Sequence, residues 1–243
     1  MDVMFHPQGP TFYELAVQAL SSTERGYDLL APKFDYTPFR TPDWLLDPVA
    51  DHLRPLAPFD SGLDVCCGTG AGIRLLRPFC TGRVVGLDFS QGMLEMCRAR
   101  VADMPGTAPV ELVRADALAM PFEAAFDLVT CFGAFGHILR RDEPRFAREV
   151  ARVLRPGGRF VFVTGYMPPV TSPGLWLARA FNAAMRVRNF LFSPPFIMYY
   201  LTFLLPGVRR LLEGAGLGVE ERPLGLRRPW HNLRLVIATR PVE

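Results

Sequence analysis

The stretch Leu63–Gly72, which reads Leu-Asp-Val-Cys-Cys-Gly-Thr-Gly-Ala-Gly, decides how this chain is organised. The apolar segment 62–67 predicts a short buried strand, the glycines of 68–72 predict a turn, and 73–76 predict the start of a helix. Glycine lets the backbone approach a ligand closely, and the free N–H groups at a helix N-terminus point towards it. We therefore expect a small-molecule site where this strand ends.

The spacing of the turn differs from the dinucleotide fingerprint G-x-G-x-x-G. The third glycine, Gly72, comes one residue early, and Ile73 stands where the fingerprint has Gly or Ala. Asp64 lies inside the strand, four residues before Gly68. This Asp-x-x-x-Gly-x-Gly-x-Gly pattern resembles motif I of the class I methyltransferases that use S-adenosylmethionine (SAM). The resemblance implies an α/β, Rossmann-like fold, a doubly wound seven-stranded sheet that is mostly parallel with an antiparallel last strand.

Two more segments carry the same resemblance. Asp88-Phe89-Ser90-x-x-Met93-Leu94 is similar to the segment after strand two in small-molecule methyltransferases, including the ubiquinone and menaquinone C-methyltransferase-like group. Leu-Arg-Pro-Gly-Gly-Arg-Phe at 154–160 resembles the family's LxPGGxL turn. Together the matching segments cover about residues 60–165 and 206–240.

The patterning along the chain predicts four parts. Residues 1–58 form a helical lead-in and cap, 59–165 the SAM-binding core, 166–205 a helical lid insertion, and 206–243 the last helix with strands six and seven. The lead-in is rich in aromatic residues and contains Gly-Tyr-Asp-Leu-Leu-Ala-Pro-Lys-Phe-Asp at 26–35. This phrase resembles the "YDxxAxxYD" segment that folds over the cofactor in many SAM methyltransferases, although a helix packed on the core also fits it.

Two acids follow the second and third predicted strands. Asp88 comes about twenty residues after the glycine turn, where an acid accepts hydrogen bonds from both ribose hydroxyls; it also fits the N-terminus of the next helix, for which Ser90 is a plausible N-cap. The resemblance assigns Asp116 to the adenine amino group and the N–H of Ala117 to a ring nitrogen, whereas alone Asp116 would be a turn residue.

The resemblance therefore implies a set of cofactor-binding residues at the carboxyl ends of the strands and in the lead-in. They are Tyr27, Asp64, Cys66, Gly68, Thr69, Gly70, Asp88, Phe89, Met93, Asp116, Ala117, Phe132 and Gly133. A Cβ at Gly70 is expected to enter the space of the methionine moiety.

The SAM sulfonium is a strong electrophile, so the protein must align the acceptor and, for a weakly acidic acceptor, supply a base. His137 is the first candidate base because it follows strand four, and a packing or capping role fits it equally well. Tyr166, just past strand five, is a second candidate and His231 a lesser one. Strand four ends in Thr130-Cys131-Phe132 without a carboxylate, so we predict no metal.

Composition excludes several classes of protein. With 49% hydrophobic and 21% charged residues the chain is globular, and a net charge of +3 without a Lys/Arg block does not favour nucleic acid. The five cysteines form no C-x-x-C pair and are expected to be buried free thiols of a reducing compartment. Residues 1–10 lack the pattern of a signal peptide, and no segment is predicted to span a membrane. We expect a cytoplasmic monomer or homodimer.

Residues 166–205 hold too many aromatic residues for an exposed loop. They are predicted to pack on the lead-in aromatics, on a second subunit, or on a membrane that holds a lipid-like acceptor; Pro194-Pro195 argues against one continuous amphipathic helix and so against the membrane. We expect a lid of two short helices, hinged near Pro168-Pro169 and Pro206, over an apolar pocket.

The sequence thus predicts transfer of a methyl group from SAM to a hydrophobic or aromatic small-molecule acceptor, with O- or C-methylation favoured. Two alternatives remain open at this point: an NAD(P)-dependent oxidoreductase, and a non-catalytic SAM-binding protein on the same fold.

Overall fold

A computed structural model describes residues 6–242 of the chain. The prediction about a signal peptide rests partly on residues 1–5, which lie outside the described residues. The helices are α1 (Phe12–Leu20), α2 (Thr23–Leu30), α3 (Asp43–Leu53), α4 (Ala71–Leu76), α5 (Gln91–Arg100), α6 (Glu143–Val153), α7 (Pro173–Leu191) and α8 (Gly207–Gly214). The strands are β1 (Phe59–Val65), β2 (Cys80–Asp88), β3 (Val110–Arg114), β4 (Phe126–Thr130), β5 (Leu154–Thr164), β6 (Gly218–Pro223) and β7 (Arg234–Thr239).

The strands form one seven-stranded sheet in the order β3-β2-β1-β4-β5-β7-β6. Strands β1 to β5 pair in parallel, and β7 runs antiparallel to both β5 and β6. The order reverses between β1 and β4, which places a crevice at the carboxyl ends of these strands. The predicted fold, a doubly wound and mostly parallel sheet with an antiparallel last strand, is confirmed.

Both faces of the sheet are covered, because successive residues of the inner strands pack on opposite sides. Val84 and Leu128 belong to one apolar core, which α3, α4 and α5 cover. Their neighbours Val85 and Val129 belong to the other, which α6 and α8 cover. This burial on both faces explains why the central strands are near-continuous apolar runs in the sequence.

The predicted strand at 62–67 and helix start at 73–76 correspond to β1 and α4. Strand β1 ends earlier than predicted, at Val65, because Cys66 already has a left-handed backbone with φ 55°. The predicted turn at 155–158 lies inside β5 as a bulge, since Phe126 pairs with Leu154 whereas Leu128 pairs with Arg159. Ser90 caps α5, as predicted, by accepting the N–H of Met93 at 3.2 Å.

The insertion differs from its predicted form. Instead of two short helices it contains one helix of 19 residues, α7, followed by an irregular segment from Phe192 to Pro206. Pro194 and Pro195 lie beyond the end of α7 and so do not interrupt it. The proline pair stops the helix rather than dividing it.

Candidate active site

A cavity of about 300 Å³ opens at the carboxyl ends of β1, β2 and β4, beneath the lead-in. Its lining combines two buried carboxylates with a larger apolar and aromatic surface. Residues on its wall are Tyr27, Phe34, Pro38, Phe39, Arg40, Thr41, Asp64, Cys66, Cys67, Gly68, Thr69, Ala71, Gly72, Asp88, Phe89, Met93, Phe132, Gly133, Ala134, His137, Met198 and Tyr200. Most of the predicted cofactor-binding residues are thereby brought together.

The glycines of the turn have different structural roles. At Gly68, with φ 51°, an added Cβ would meet no atom within 4 Å, so its open side faces free space at the cavity wall. At Gly70, with φ 97°, a Cβ would lie 2.6 Å from Cε of Met104 and 2.7 Å from Sγ of Cys97. The sequence-based reason for Gly70 is therefore wrong, because a side chain at Gly70 would face the core, and of these two glycines Gly68 is the one on the cavity wall.

Gly72 makes room for a buried acid. An added Cβ there would come within 2.2 Å of Oδ1 of Asp64. The Asp64 carboxylate accepts the Thr130 hydroxyl at 2.9 Å and the backbone N–H of Ile73. Burial raises the pKa of Asp64 to about 7, because desolvation penalises the charged form more than these hydrogen bonds favour it. This acid joins the end of β1 to β4 and to the first turn of α4.

Asp88 ends β2 with both carboxylate oxygens directed at backbone donors. Oδ2 accepts the N–H of Gly68 at 2.8 Å and Oδ1 accepts the N–H of Ser90 at 2.9 Å. Burial raises its pKa, and these bonds partly offset that rise. The backbone N–H of Phe89 bonds the same carboxylate, so about one of its roughly four lone-pair sites stays for a ligand. Asp88 therefore shapes the glycine turn and also presents an acceptor to the cavity, so the two readings of this acid are compatible.

The lead-in is fastened over the glycine turn by two aspartates. Asp28 accepts the Ser90 hydroxyl at 2.6 Å and the N–H of Gly92 at 2.9 Å. Asp35 accepts the Thr69 hydroxyl at 2.7 Å and pairs with Arg100 at 2.6 Å. These are the two acids of the "YDxxAxxYD"-like phrase, and their bonds place the intervening residues as a cover on the cavity.

Tyr27 and His137 form a hydrogen-bonded pair in the cavity wall. The Tyr27 hydroxyl lies 2.7 Å from Nε2 of His137, and Nδ1 of His137 lies 2.6 Å from the carbonyl oxygen of Ile197. A carbonyl only accepts, so Nδ1 carries the proton and Nε2 of the neutral ring accepts from Tyr27. Burial lowers the pKa of His137, which favours this neutral form, and burial raises the pKa of Tyr27.

Some predicted residues lie away from the cavity wall. Asp116 is exposed and its side chain accepts the N–H of Leu118 at 2.8 Å, and neither it nor Ala117 lines the cavity. The hydroxyl of Tyr166, the second candidate base, donates to Glu221 on β6 at 2.7 Å, outside the cavity. The structure thus gives Tyr166 no position from which to act on a ligand there, and the adenine roles of Asp116 and Ala117 stay predictions.

Other wall residues were missed at the sequence level. Arg40 and Thr41 come from the loop before α3, and Met198 and Tyr200 come from the irregular segment after α7. Arg40 is paired with Asp43 at 3.1 Å and is the one Arg or Lys on the cavity wall among residues 6–242. No local sequence pattern marks these four positions, because they reach the cavity through long-range packing. The one available signal for them was the high aromatic content of the lead-in and of residues 166–205.

The residues at the polar end of the cavity fit SAM. Asp88 offers a carboxylate oxygen to ribose hydroxyls, Gly68 leaves open space beside it, and Arg40, already paired with Asp43, is the cation of the cavity wall. Within residues 6–242, no group of three or more His, Cys, Asp or Glu side chains is arranged to hold a metal ion. In the same part of the chain, no helix is long and apolar enough to cross a membrane.

Comparison with known proteins connects this geometry to a family. Residues 63–158 match the family model described as a methyltransferase domain. A demethylmenaquinone methyltransferase of Staphylococcus aureus is 36% identical over 169 residues, covering 63% of this chain and 66% of the relative, a little under two thirds of its length.

Solved structures share the fold at low sequence identity. An O-methyltransferase family protein from Burkholderia thailandensis superposes with a TM-score of 0.68 at 19% identity, covering 95% of this chain and 68% of that one. The magnesium protoporphyrin IX methyltransferase from Synechocystis, whose structure holds S-adenosylhomocysteine, gives 0.57 at 16% identity, covering 80% and 81%. At such identities the likeness concerns the fold alone.

Proposed function

We propose that the chain is a class I SAM-dependent methyltransferase, which the methyltransferase-domain match over residues 63–158 and the demethylmenaquinone methyltransferase relative support, and that it methylates a hydrophobic or aromatic small molecule, at oxygen or at carbon. The observation that carries this proposal is the composition of the cavity wall. Its polar end is built by Asp88 and Gly68, and its other surfaces are aromatic and apolar, with the Tyr27–His137 pair among them. A largely apolar wall with a few placed polar groups suits an apolar ligand that must be held in one orientation.

We assign the polar end to the cofactor, which supplies an electrophilic methyl group when bound. The Asp88 carboxylate would accept a hydrogen bond from the ribose, since the backbone N–H groups of Gly68, Ser90 and Phe89 fix its orientation. Arg40 would pair with the cofactor's carboxylate beside its present partner Asp43, and the Asp64 carboxylate on the same wall would receive the amine. These residues orient the ligand and exclude water.

We assign the proton chemistry to Tyr27, backed by His137. The Tyr27 hydroxyl donates to Nε2, so its oxygen lone pairs are free to accept the proton of a phenolic acceptor. As that proton moves to the Tyr27 oxygen, the tyrosine's own proton moves to Nε2 of His137, whose Nδ1–H stays on the Ile197 carbonyl. Removal of the phenolic proton makes both the oxygen and the ring carbons of the acceptor more nucleophilic. His137, the base expected from the sequence, thus acts through Tyr27.

Residues 166–205 serve as the acceptor-side lid in this proposal. Asn182 of α7 holds Tyr200 by two hydrogen bonds, donating to its carbonyl and accepting its N–H, each at 2.8 Å. Asn189 accepts the N–H of Phe196 at 2.9 Å and donates to its carbonyl at 3.0 Å. The helix therefore fixes the segment that contributes Met198 and Tyr200 to the cavity wall.

Two measurements test the function. Titration calorimetry should show one SAM per chain, with NAD as the control that gives no heat if the oxidoreductase alternative is wrong. A panel of phenols and hydroquinones with apolar tails, incubated with labelled SAM, should release S-adenosylhomocysteine and give labelled products. Binding of SAM without turnover of any acceptor in a broad panel would favour the non-catalytic alternative instead.

A further inference from the structure

The outward face of α7 is apolar along its whole length. Its exposed residues recur at intervals of three and four positions, which places them in one stripe of the helix. The stripe, named here the α7 stripe, consists of Trp176, Ala180, Ala183, Val187 and Phe190. Phe190 is 89% exposed, and Leu177 and Leu191 beside the stripe are 74% and 63% exposed.

The inner side of the same helix already makes its contacts with the fold. Leu175 and Met185 are buried, and Asn182 and Asn189 hold the cavity segment. Arg188 donates to the carbonyls of Ala19 at 2.7 Å and Ser21 at 2.9 Å, which holds α7 against the C-terminal end of α1. The α7 stripe is therefore not needed to fasten the helix, and α7 is apolar on two sides.

Charge indicates what covers this face. The segment 166–207 contains Arg179, Arg186 and Arg188 and no Asp or Glu. Arg179 and Arg186 lie seven residues apart on one edge of the stripe, and within residues 6–242 neither forms an ion pair; the Arg179 guanidinium lies 5.1 Å from the Trp176 ring centroid. A helix with a Trp- and Phe-bearing face edged by arginine is the pattern that binds at the boundary between headgroups and acyl chains.

The indole of Trp176 suits the boundary between lipid headgroups and acyl chains. Its Nε1–H donates to the carbonyl of Val170 at 2.8 Å, so the polar edge of the ring is satisfied within the protein. The exposed part of the ring is then apolar. Phe12, Tyr13 and Leu20 of α1, the helix that Arg188 contacts at its C-terminal end, are also exposed. The sequence-based argument against membrane binding was that Pro194-Pro195 would break the helix. Because α7 is continuous and ends before this pair, that argument no longer applies.

We propose that the α7 stripe docks the protein on the surface of a membrane containing anionic lipid. The stripe inserts among the acyl chains to about the depth of one helix radius, while Arg179 and Arg186 contact lipid phosphates. The docked helix is the one that positions Met198 and Tyr200 on the cavity wall, so a lipid-dissolved acceptor reaches the cavity beside its own membrane. The docking surface goes beyond the proposed function and is tested without any acceptor.

The test uses the full chain with sedimenting vesicles of phosphatidylcholine alone or of equal parts phosphatidylcholine and phosphatidylglycerol. We expect binding to the anionic vesicles that weakens with added salt. Phe190→Glu should lower the partition coefficient about tenfold or more, and the double variant Arg179→Glu with Arg186→Glu should remove the preference for anionic vesicles. The matched control is Val242→Glu, which changes a side chain that is 77% exposed near the C-terminus and should bind like the parent.

Trp176 provides a local readout, since its fluorescence should shift to the blue on anionic vesicles and be quenched by brominated acyl chains. Trp176→Phe should lose most of that change, because Trp44 and Trp230 pack on each other elsewhere, with ring centroids 5.4 Å apart. Absence of vesicle binding, or equal loss in Val242→Glu and Phe190→Glu, would overturn the proposal. A dimer that Phe190→Glu dissociates in light scattering, without vesicle binding, would show that a second copy covers the stripe.

Discussion

The phenol oxygen of Tyr27 lies 2.7 Å from Nε2 of His137, although 110 positions of sequence separate the two residues. Their rings meet edge to face with centroids 5.0 Å apart, and Tyr27 also stacks on Phe196. The lead-in, the loop after β4 and the segment after α7 are thereby joined at one point of the cavity. In the proposed function this pair couples the cofactor side of the cavity to the acceptor side, which is why the first prediction concerns it.

Tyr27→Phe and His137→Ala should each lower turnover about 10²-fold, because either change breaks the path of the acceptor proton. Affinity for SAM should change little. Because the residues act as a unit, the double variant should cost no more than the single ones. Additive losses, or an unchanged rate in Tyr27→Phe, would contradict a shared role and return His137 to packing. The rate of the parent should decline only below about pH 6.5, since the lowered pKa keeps the ring neutral above it.

Asp88→Ala should weaken SAM binding at least about tenfold, because each lost hydrogen bond to a charged acceptor is worth about 1.5–3 kcal/mol. The structure adds a second effect, since the N–H groups of Gly68 and Ser90 lose their acceptor and the free energy of unfolding should fall by about 1–3 kcal/mol. Calorimetry and denaturant unfolding measure the two effects separately. The control is Asp60→Ala, which removes an exposed carboxylate near the other end of β1. Equal SAM affinities for the parent, Asp88→Ala and Asp60→Ala would exclude Asp88 from the cofactor site.

Gly68→Ala and Gly70→Ala should separate binding from stability. A Cβ at Gly68 meets open space, so Gly68→Ala should lose SAM affinity while the left-handed backbone costs only about 1–2 kcal/mol of stability. A Cβ at Gly70 meets Met104 and Cys97, so Gly70→Ala should lower the melting temperature more and the affinity of the folded fraction less. The reverse order, with Gly70→Ala the worse binder and the more stable protein, would contradict the assignment.

The stability of the ligand-free protein should depend on Asp64 with a defined sign. A raised pKa means that the folded state binds the proton more tightly than the unfolded state, so stability is complete below the unfolded value and is lost as pH rises towards about 7. The loss attributable to Asp64 is at most about 4 kcal/mol. Urea unfolding between pH 4 and pH 8 should show this fall in the parent and a flatter profile in Asp64→Asn; parallel profiles would mean that the acid is ionised throughout.

Asn182→Ala should raise the KM for the acceptor about fivefold, since each lost net hydrogen bond is worth about 1 kcal/mol and Tyr200 would lose its support. SAM affinity should stay as in the parent, because the amide touches the acceptor-side segment alone. Gln91→Ala, which removes an exposed amide bonded to Glu95, is the control. A matching loss in SAM binding would show that the insertion does not act on the acceptor side specifically.

The sequence by itself determined the sheet and the polar end of the cavity. Asp64, the glycine turn, Asp88 and Ser90 are local signals, because a strand end, a left-handed turn and a helix N-terminus each demand particular residues within a few positions. The cap on α5 follows from such a local pattern, and the mostly parallel sheet with its antiparallel last strand was implied by the resemblance that these motifs carry. The choice between Gly68 and Gly70 does not, since it depends on Met104 and Cys97 arriving behind the turn.

Only the tertiary structure decided the acceptor side. Tyr27 and His137 meet through packing of the lead-in on the loop after β4, and Arg40, Met198 and Tyr200 reach the cavity from segments without a recognisable motif. The same packing sent Tyr166 to Glu221 on β6 and made α7 one helix with an exposed apolar stripe. The polar end of the cavity is set by backbone requirements within a few residues. The other walls are set by contacts between segments that are far apart in the chain, and the periodicity of the sequence does not specify which segments meet.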